Sequence, residues 1–329
     1  MLAKDGGYLH GYLKQYHDIY SKKYNMRFAV IDLGTNTFHL IIAETVSEKF
    51  ELLYKTNVPV KLGEGRINEN IIIPAAFQRG VNALKDFRKT IEEFKVDKIR
   101  ATATSAVRSA NNGQEFVNAV KKEALIDIEI ITGDEEAALI YEGVKLSGAI
   151  KNSSLIMDIG GGSIEFILCD TENLIWKKSY NIGAARLLQQ FFKSDPISDE
   201  DKNAILYHVQ SQLAELFEVC EQHQPQTLIG SAGAFETFAE LIITKNKQGK
   251  SVDTLKTYDF NYDDYISTTL EIINSTHQQR AEMEGIIPVR VNMIVIAALI
   301  TNYVMGRLKI TELKLSTYDL KMGVLASMA

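Results

Sequence analysis

Ala29-Val30-Ile31-Asp32-Leu33-Gly34-Thr35-Asn36-Thr37-Phe38-His39-Leu40 returns in altered form as Leu155-Ile156-Met157-Asp158-Ile159-Gly160-Gly161-Gly162-Ser163-Ile164-Glu165-Phe166. Each copy is an apolar strand, an Asp at its end, a tight turn of small and hydroxyl residues, and a second apolar strand. Asp32 and Asp158 stand 126 positions apart, about the length of one domain. A single copy would read as a hairpin whose Asp caps its own turn. Two copies in register predict a duplicated α/β fold whose equivalent loops face each other across a cleft.

Working outward, strand and helix patterns alternate along the chain. Phe28–Ile31, Phe38–Ala43 and Phe50–Thr56 read as a strand meander. A helix over Pro74–Phe94 follows, with proline at a favoured first-turn position. Ile99–Ala103 and Ile126–Ile131 read as strands around a helix at 114–122, and Gly133–Leu146 has helical periodicity. Leu155–Asp158, Ile164–Cys169 and Leu174–Tyr180 form the second meander. Helical segments are expected at 184–193, 198–221, 234–243, 262–273 and 291–307, then a strand at Glu312–Leu315 and a closing helix from Asp319. A chain of 329 residues exceeds one ordinary core. The expected division is a first domain over 26–137 and a second over 138–329, with the boundary in or beside a helix. Residues 1–25 read as a leader outside the fold, and Met26 as an alternative start.

The formal charge of −6 gives no overall attraction to nucleic acid or to an anionic membrane. The longest apolar run, Met293–Ile300, is far short of a bilayer span. Cys169 and Cys220 stand alone in apolar surroundings, which fits buried thiols in a reducing cytoplasm better than a metal or disulfide framework.

Glycine-containing turns such as Gly34-Thr35-Asn36-Thr37 and Gly160-Gly161-Gly162-Ser163 can turn consecutive amides toward an anion, and their hydroxyl and amide side chains add donors. Asp32 and Asp158 beside such turns would repel phosphate unless a cation intervenes, and Mg²⁺ (or another divalent cation) held by carboxylates and phosphate oxygens meets that need. The paired turns therefore read as a two-sided phosphate and Mg²⁺ clamp. Hydrolysis also needs a group that orients water. Thr132 and Glu135 have capping-box spacing, which turns Glu135 back on the backbone and leaves Glu136 as the available carboxylate. An acidic first turn favoured by the helix dipole is the competing reading. Arg108 could grip phosphate or form a surface ion pair. Gly230-Ser231-Ala232-Gly233 leads from a strand into a helix and suits an anion at a helix start. His39 and the helix Met293–Val304 read as structural. Walker-type, His-Glu-x-x-His and Cys-x-x-Cys patterns are absent from the sequence.

With these residues in hand, the chain resembles the exopolyphosphatase/guanosine pentaphosphate phosphohydrolase family, within the superfamily of actin and the sugar kinases. The resemblance runs from about Arg27 to the C-terminus. It rests on Ile31–Thr37, Ala103–Arg108, Ile131-Thr132-Gly133-Asp134-Glu135-Glu136-Ala137 and Met157–Glu165. It implies two ribonuclease-H-like, actin-like domains with mixed sheets flanked by helices, and an active site between them. By position it implies that Glu136 activates the attacking water, that Asp158 and Glu165 are a metal-associated acidic pair with Asp158 also catalytic, and that Arg108 grips phosphate. Asp32 and the two turns match the phosphate loops. It further implies a homodimer acting on inorganic polyphosphate or a guanosine polyphosphate.

Three later stretches depart from the family's pattern. Gly233-Ala234 stands where a Gly-Thr is usual. Arg290-Val291-Asn292 replaces Arg-Ala-Asp, and Ser316-Thr317-Tyr318-Asp319-Leu320-Lys321-Met322-Gly323 replaces Ser-Asp-x-x-x-Arg-Glu-Gly. Longer members carry an additional C-terminal helical domain, so a short polyphosphate or a nucleotide polyphosphate is expected as readily as a long polymer. The competing functions are a sensor that binds such anions without turning them over, and a small-molecule kinase of the same superfamily.

Overall fold

The computed structural model describes residues 25–47 and 49–328, so the expected leader lies outside the described residues. β1 (Arg27–Leu33), β2 (Phe38–Val46) and β3 (Lys49–Val58) form an antiparallel meander, and α1 (Pro74–Glu93) follows. Next come β4 (Lys98–Ala103), α2 (Ser105–Ser109), α3 (Gly113–Ala124), β5 (Ile128–Ile130) and α4 (Gly133–Ser147). The second half repeats the opening with β6 (Ser154–Ile159), β7 (Ile164–Cys169) and β8 (Leu174–Tyr180). It continues through α5 (Ala184–Phe191), α6 (Asp199–Gln212), α7 (Ala214–His223), β9 (Thr227–Ser231) and α8 (Gly233–Lys245). β10 (Thr257–Asp259), α9 (Tyr262–Asn274), α10 (His277–Glu282), α11 (Met293–Leu308), β11 (Glu312–Ser316) and α12 (Leu320–Ala326) complete it.

The two sheets have matching topology. The first has strand order β3-β2-β1-β4-β5, and the second β10-β11-β9-β6-β7-β8. In each, the meander is antiparallel, and β4 runs parallel to β1 as β9 runs parallel to β6. The sequence repeat is thus a repeat of mixed sheets. β6 and β7 are buried along their whole length, which their unbroken apolar runs require of strands covered on both faces. β3, alternating between half-buried and exposed residues, is the edge.

α1 and α3 cover one face of the first sheet. α1 buries Ala76, Gly80, Val81, Ala83, Leu84, Phe87 and Ile91, the three- and four-residue spacing of one helical stripe. The other face shares a core with the second sheet. Phe28, Val30, Ile41 and Ala43 meet Ile156, Ile167 and Ile229 through residues of α4 and α12. The expected boundary near residue 138 falls inside α4, which packs on β7 and β8 and on α12. α4 and α12 cross on glycine. A Cβ on Gly143 would overlap the Asp319 carbonyl, and one on Gly323 the Leu139 carbonyl. Among the described residues no helix is long and apolar enough to cross a membrane.

Three departures from the expected elements have local causes. The helix expected over 198–221 is interrupted at Leu213, whose side chain is fully buried while its backbone leaves helical geometry (φ −93°, ψ 14°). β10 is three residues long and α10 six, too short for a hydrophobic period to register.

Candidate active site

The repeat is also geometric at the level of single side chains. Asp32 lies opposite His39 across β1 and β2, and Asp158 lies opposite Glu165 across β6 and β7. On the parallel side, Asp32 neighbours Thr102 as Asp158 neighbours Ser231. The second copy therefore holds two carboxylates where the first holds one and an imidazole. Burial pushes Asp32 up to about 6, with Lys321 opposing the shift. It pushes Asp158 well above the usual carboxylate range, helped by the charge of Glu165. Glu165 is raised by burial and restrained by the hydroxyls of Ser163 and Ser179, the latter donating at 2.6 Å. His39 is driven well below its ordinary value by burial and by Lys321.

The two Gly-containing turns meet directly. A Cβ on Gly161 would press into the Asn36 side chain, and one on Gly162 would come to 2.8 Å from the Thr35 hydroxyl. Only glycine permits that approach. The carbonyls of both turns are taken from behind. Gly63 and Lys61 amides donate to Thr35 and Asn36, while Ala184, Ala185 and Gly183 amides donate to Gly160, Gly161 and Gly162.

Glu136 enters from the first turn of α4. Thr132 and Glu135 form both bonds of the capping box, so the side chain after them is left to face inward, 7% exposed. Arg108 in α2 donates to the Glu136 carboxylate at 2.8 Å and to the Ile131 carbonyl at 3.1 Å. Arg108 is thus a half-buried partner of Glu136, neither a free guanidinium nor a surface ion pair. Burial and the charge of Glu165 hold Glu136 well above the ordinary glutamate range despite that partner.

These groups line one cleft of about 930 Å³ between the halves. Asp32, Gly34, Thr35, Asn36, Thr37, Glu136, Asp158, Gly160, Gly161, Gly162, Ser163, Glu165 and Gly233 all reach it. Arg108, Gly230 and Ser231 stand outside the lining. Gly230 packs beneath the Phe235 ring, and the buried Ser231 lies beside Asp158 in the β6–β9 ladder, where its hydroxyl helps hold that carboxyl down. Gly233 begins α8 under the Arg290 guanidinium, after Ala232 takes a positive φ with extended ψ (φ 65°, ψ −174°). His39, read as structural, lines the cleft, as do Met293, Ile294 and Ala297 at the start of the otherwise buried α11.

Sequence reasoning missed Lys321. It noted the stretch only as a departure from a pattern, yet α12 returns Lys321 to the cleft floor. There it pairs with the buried Asp319 in a largely buried ion pair and faces the charge of Asp32.

Among the buried oxygens without partners, two belong to residues that line the cleft, Asp32 Oδ1 and the Ser105 hydroxyl. Among the described residues no three metal-ligating side chains converge. The opposed Asp158 and Glu165 still suit Mg²⁺, which takes one or two carboxylates and completes its shell with water and phosphate oxygens.

Comparison with known proteins agrees with this architecture. The family model described as "Ppx/GppA phosphatase family" matches residues 41–329. The crystal structure of an exopolyphosphatase from Cytophaga hutchinsonii superposes with a TM-score of 0.90 at 36% identity, covering 92% of this chain and 97% of that one. The Aquifex aeolicus PPX-GPPA enzyme superposes with a TM-score of 0.76 at 25% identity, covering 92% and 99%. A guanosine-5'-triphosphate,3'-diphosphate pyrophosphatase from Pseudoalteromonas translucida is 28% identical over 219 residues, which are 67% of this chain and 44% of that relative.

Proposed function

Because the chain belongs to the Ppx/GppA phosphatase family, we propose that it is a phosphoric anhydride hydrolase releasing terminal phosphate from inorganic polyphosphate or guanosine pentaphosphate. The observation that carries this reading is the convergence of Glu136 with Asp32, Asp158, Glu165 and both Gly-containing turns on one cleft.

The residues divide the work by their surroundings. With the turn carbonyls bonded from behind, the amides of Thr35–Thr37 and Gly161–Ser163 and the hydroxyls of Thr35 and Thr37 are left for the phosphate oxygens. Glu136 orients the attacking water and accepts its proton at the carboxylate. Its raised proton affinity suits that task, and Arg108 fixes its direction. Asp158 and Glu165 would hold Mg²⁺, which when bound neutralises charge on the transferring phosphoryl group. Lys321 supplies a fixed positive charge on the opposite floor. Most of the rate enhancement then comes from positioning and preorganised charge. We propose also that the protein is cytoplasmic and a homodimer. The latter is checked by sedimentation.

The deciding experiment is phosphate release, with Mg²⁺ present, from polyphosphates of defined length and from guanosine pentaphosphate. Glu136→Gln should lose roughly 10²- to 10⁴-fold in kcat, the range for a positioned general base, while its thermal midpoint stays at or above that of the wild type. Equal release by both proteins would remove Glu136 from the mechanism. Binding without release by either would leave an anion sensor.

A further inference from the structure

Arg186, the third residue of α5, is 8% exposed. Its guanidinium bonds to three segments at once and to neutral acceptors only. Nε donates to the Gly162 carbonyl at 2.9 Å, Nη1 to the Ile67 carbonyl at 2.8 Å, and Nη2 to the Ser109 hydroxyl at 2.8 Å. Gly162 belongs to the second Gly-containing turn. Ile67 begins a short 3-10 turn of the first half, Ile67–Glu69, and Ser109 ends α2 immediately after Arg108. Bonds on either side reinforce the crossing. Asn68 Nδ2 donates to the Arg186 carbonyl at 3.1 Å, and Gln189 Nε2 donates to the Gly65 carbonyl.

A guanidinium suits this position because its donors diverge in one rigid plane and reach three acceptors that neither an ammonium nor an amide could span. Burying a cation without a counter-ion is costly. Here the charge stands behind Gly162 and beside Arg108, whose field it feels, and so adds to the positive potential that an anion at the turns would meet.

We infer that Arg186 is a positioning residue that clasps the second Gly-containing turn to the first half of the chain and so holds the cleft in its closed geometry. The contact of Gly161 and Gly162 with Thr35, Asn36 and Ser105 is the seam that it keeps shut. Ser109 extends the same hold to the end of α2.

The test compares Arg186→Lys, which keeps the charge and loses the fork, with Arg186→Gln, which loses the charge. Small-angle X-ray scattering of the protein without ligand needs no substrate, so it judges the clasp even where the hydrolase reading fails. Both variants should show a larger radius of gyration than the wild type. The kinetic arm, with polyphosphate or guanosine pentaphosphate as probe, rests on that reading. Both variants should raise KM about tenfold or more with kcat within about threefold, because substrate must now close a mostly open cleft. Wild-type scattering and KM in Arg186→Lys would show that charge alone suffices and would overturn the clasp. A fall in kcat with scattering and KM unchanged would overturn it as well. Should both variants fail to fold, Asn68→Ala removes only the outer bond from a surface side chain. It should move scattering and KM in the same direction by a smaller factor, and no change in either would sink the inference.

Discussion

At the scale of residues, the cleft stores unfavourable charge. Burial pushes Asp32 up to about 6 from its ordinary 3.8, so folding favours its protonated form. Its contribution to stability is fully present below about pH 4 and is lost as pH rises through about 6. Asp32→Asn should therefore be more stable than the wild type at pH 7.5, by about 2 kcal/mol after discounting for partial solvation. The two should converge near pH 4, as chemical denaturation at both pH values would show. A wild-type advantage at pH 7.5 would mean that Lys321 outweighs burial. Glu136 was legible in the sequence because the capping box uses up its neighbour, a local rule of spacing. Its pairing with Arg108 was not, since 28 positions separate them and α2 is too short to announce itself. Lys321 was illegible for a deeper reason. Its meaning depends on where α12 returns, and no local pattern encodes that.

At the scale of elements, the strands were readable where burial imposes a pattern. β6 and β7 declare themselves as unbroken apolar runs and β2 as a partner in the repeat, whereas β10 has three residues and joins the sheet only through β11. The crossing of α4 and α12 could not be read, because its glycines look like ordinary helix interruptions until two helices are placed together. Gly323→Ala should destabilise by about 1–3 kcal/mol, since the added methyl meets backbone that cannot move aside. An unchanged denaturation midpoint would show that the crossing can widen. Thr132→Ala should cost about 1 kcal/mol as a lost N-cap. It should also lower kcat more than its stability loss explains, because the same turn aims Glu136.

At the scale of the whole molecule, the four cleft carboxylates make stability depend on what occupies the cleft. Mg²⁺ should raise the thermal midpoint by a few degrees at pH 7.5, where it relieves repulsion among Asp32, Glu136, Asp158 and Glu165. At pH 5 the raised proton affinities let protons compete, and the shift should shrink or vanish. Scanning calorimetry with and without the cation at both pH values checks this, and equal shifts would place the cation elsewhere. The duplicated architecture was visible from two twelve-residue stretches. How tightly the halves share one core was not, because Phe28 and Leu325 belong to opposite ends of the chain.

That shared core has a consequence for synthesis. β1 and β2 leave the ribosome roughly 280 positions before α12, yet Leu320, Val324 and Leu325 cover their apolar face. At about 5–20 residues per second the delay is on the order of 15 to 60 s. Throughout that time the face carrying Phe28, Val30, Ile41 and Ala43 lacks its α12 cover, even with α4 already formed. Translation speed over the second half thus sets how long this surface is offered to chaperones or to neighbouring chains.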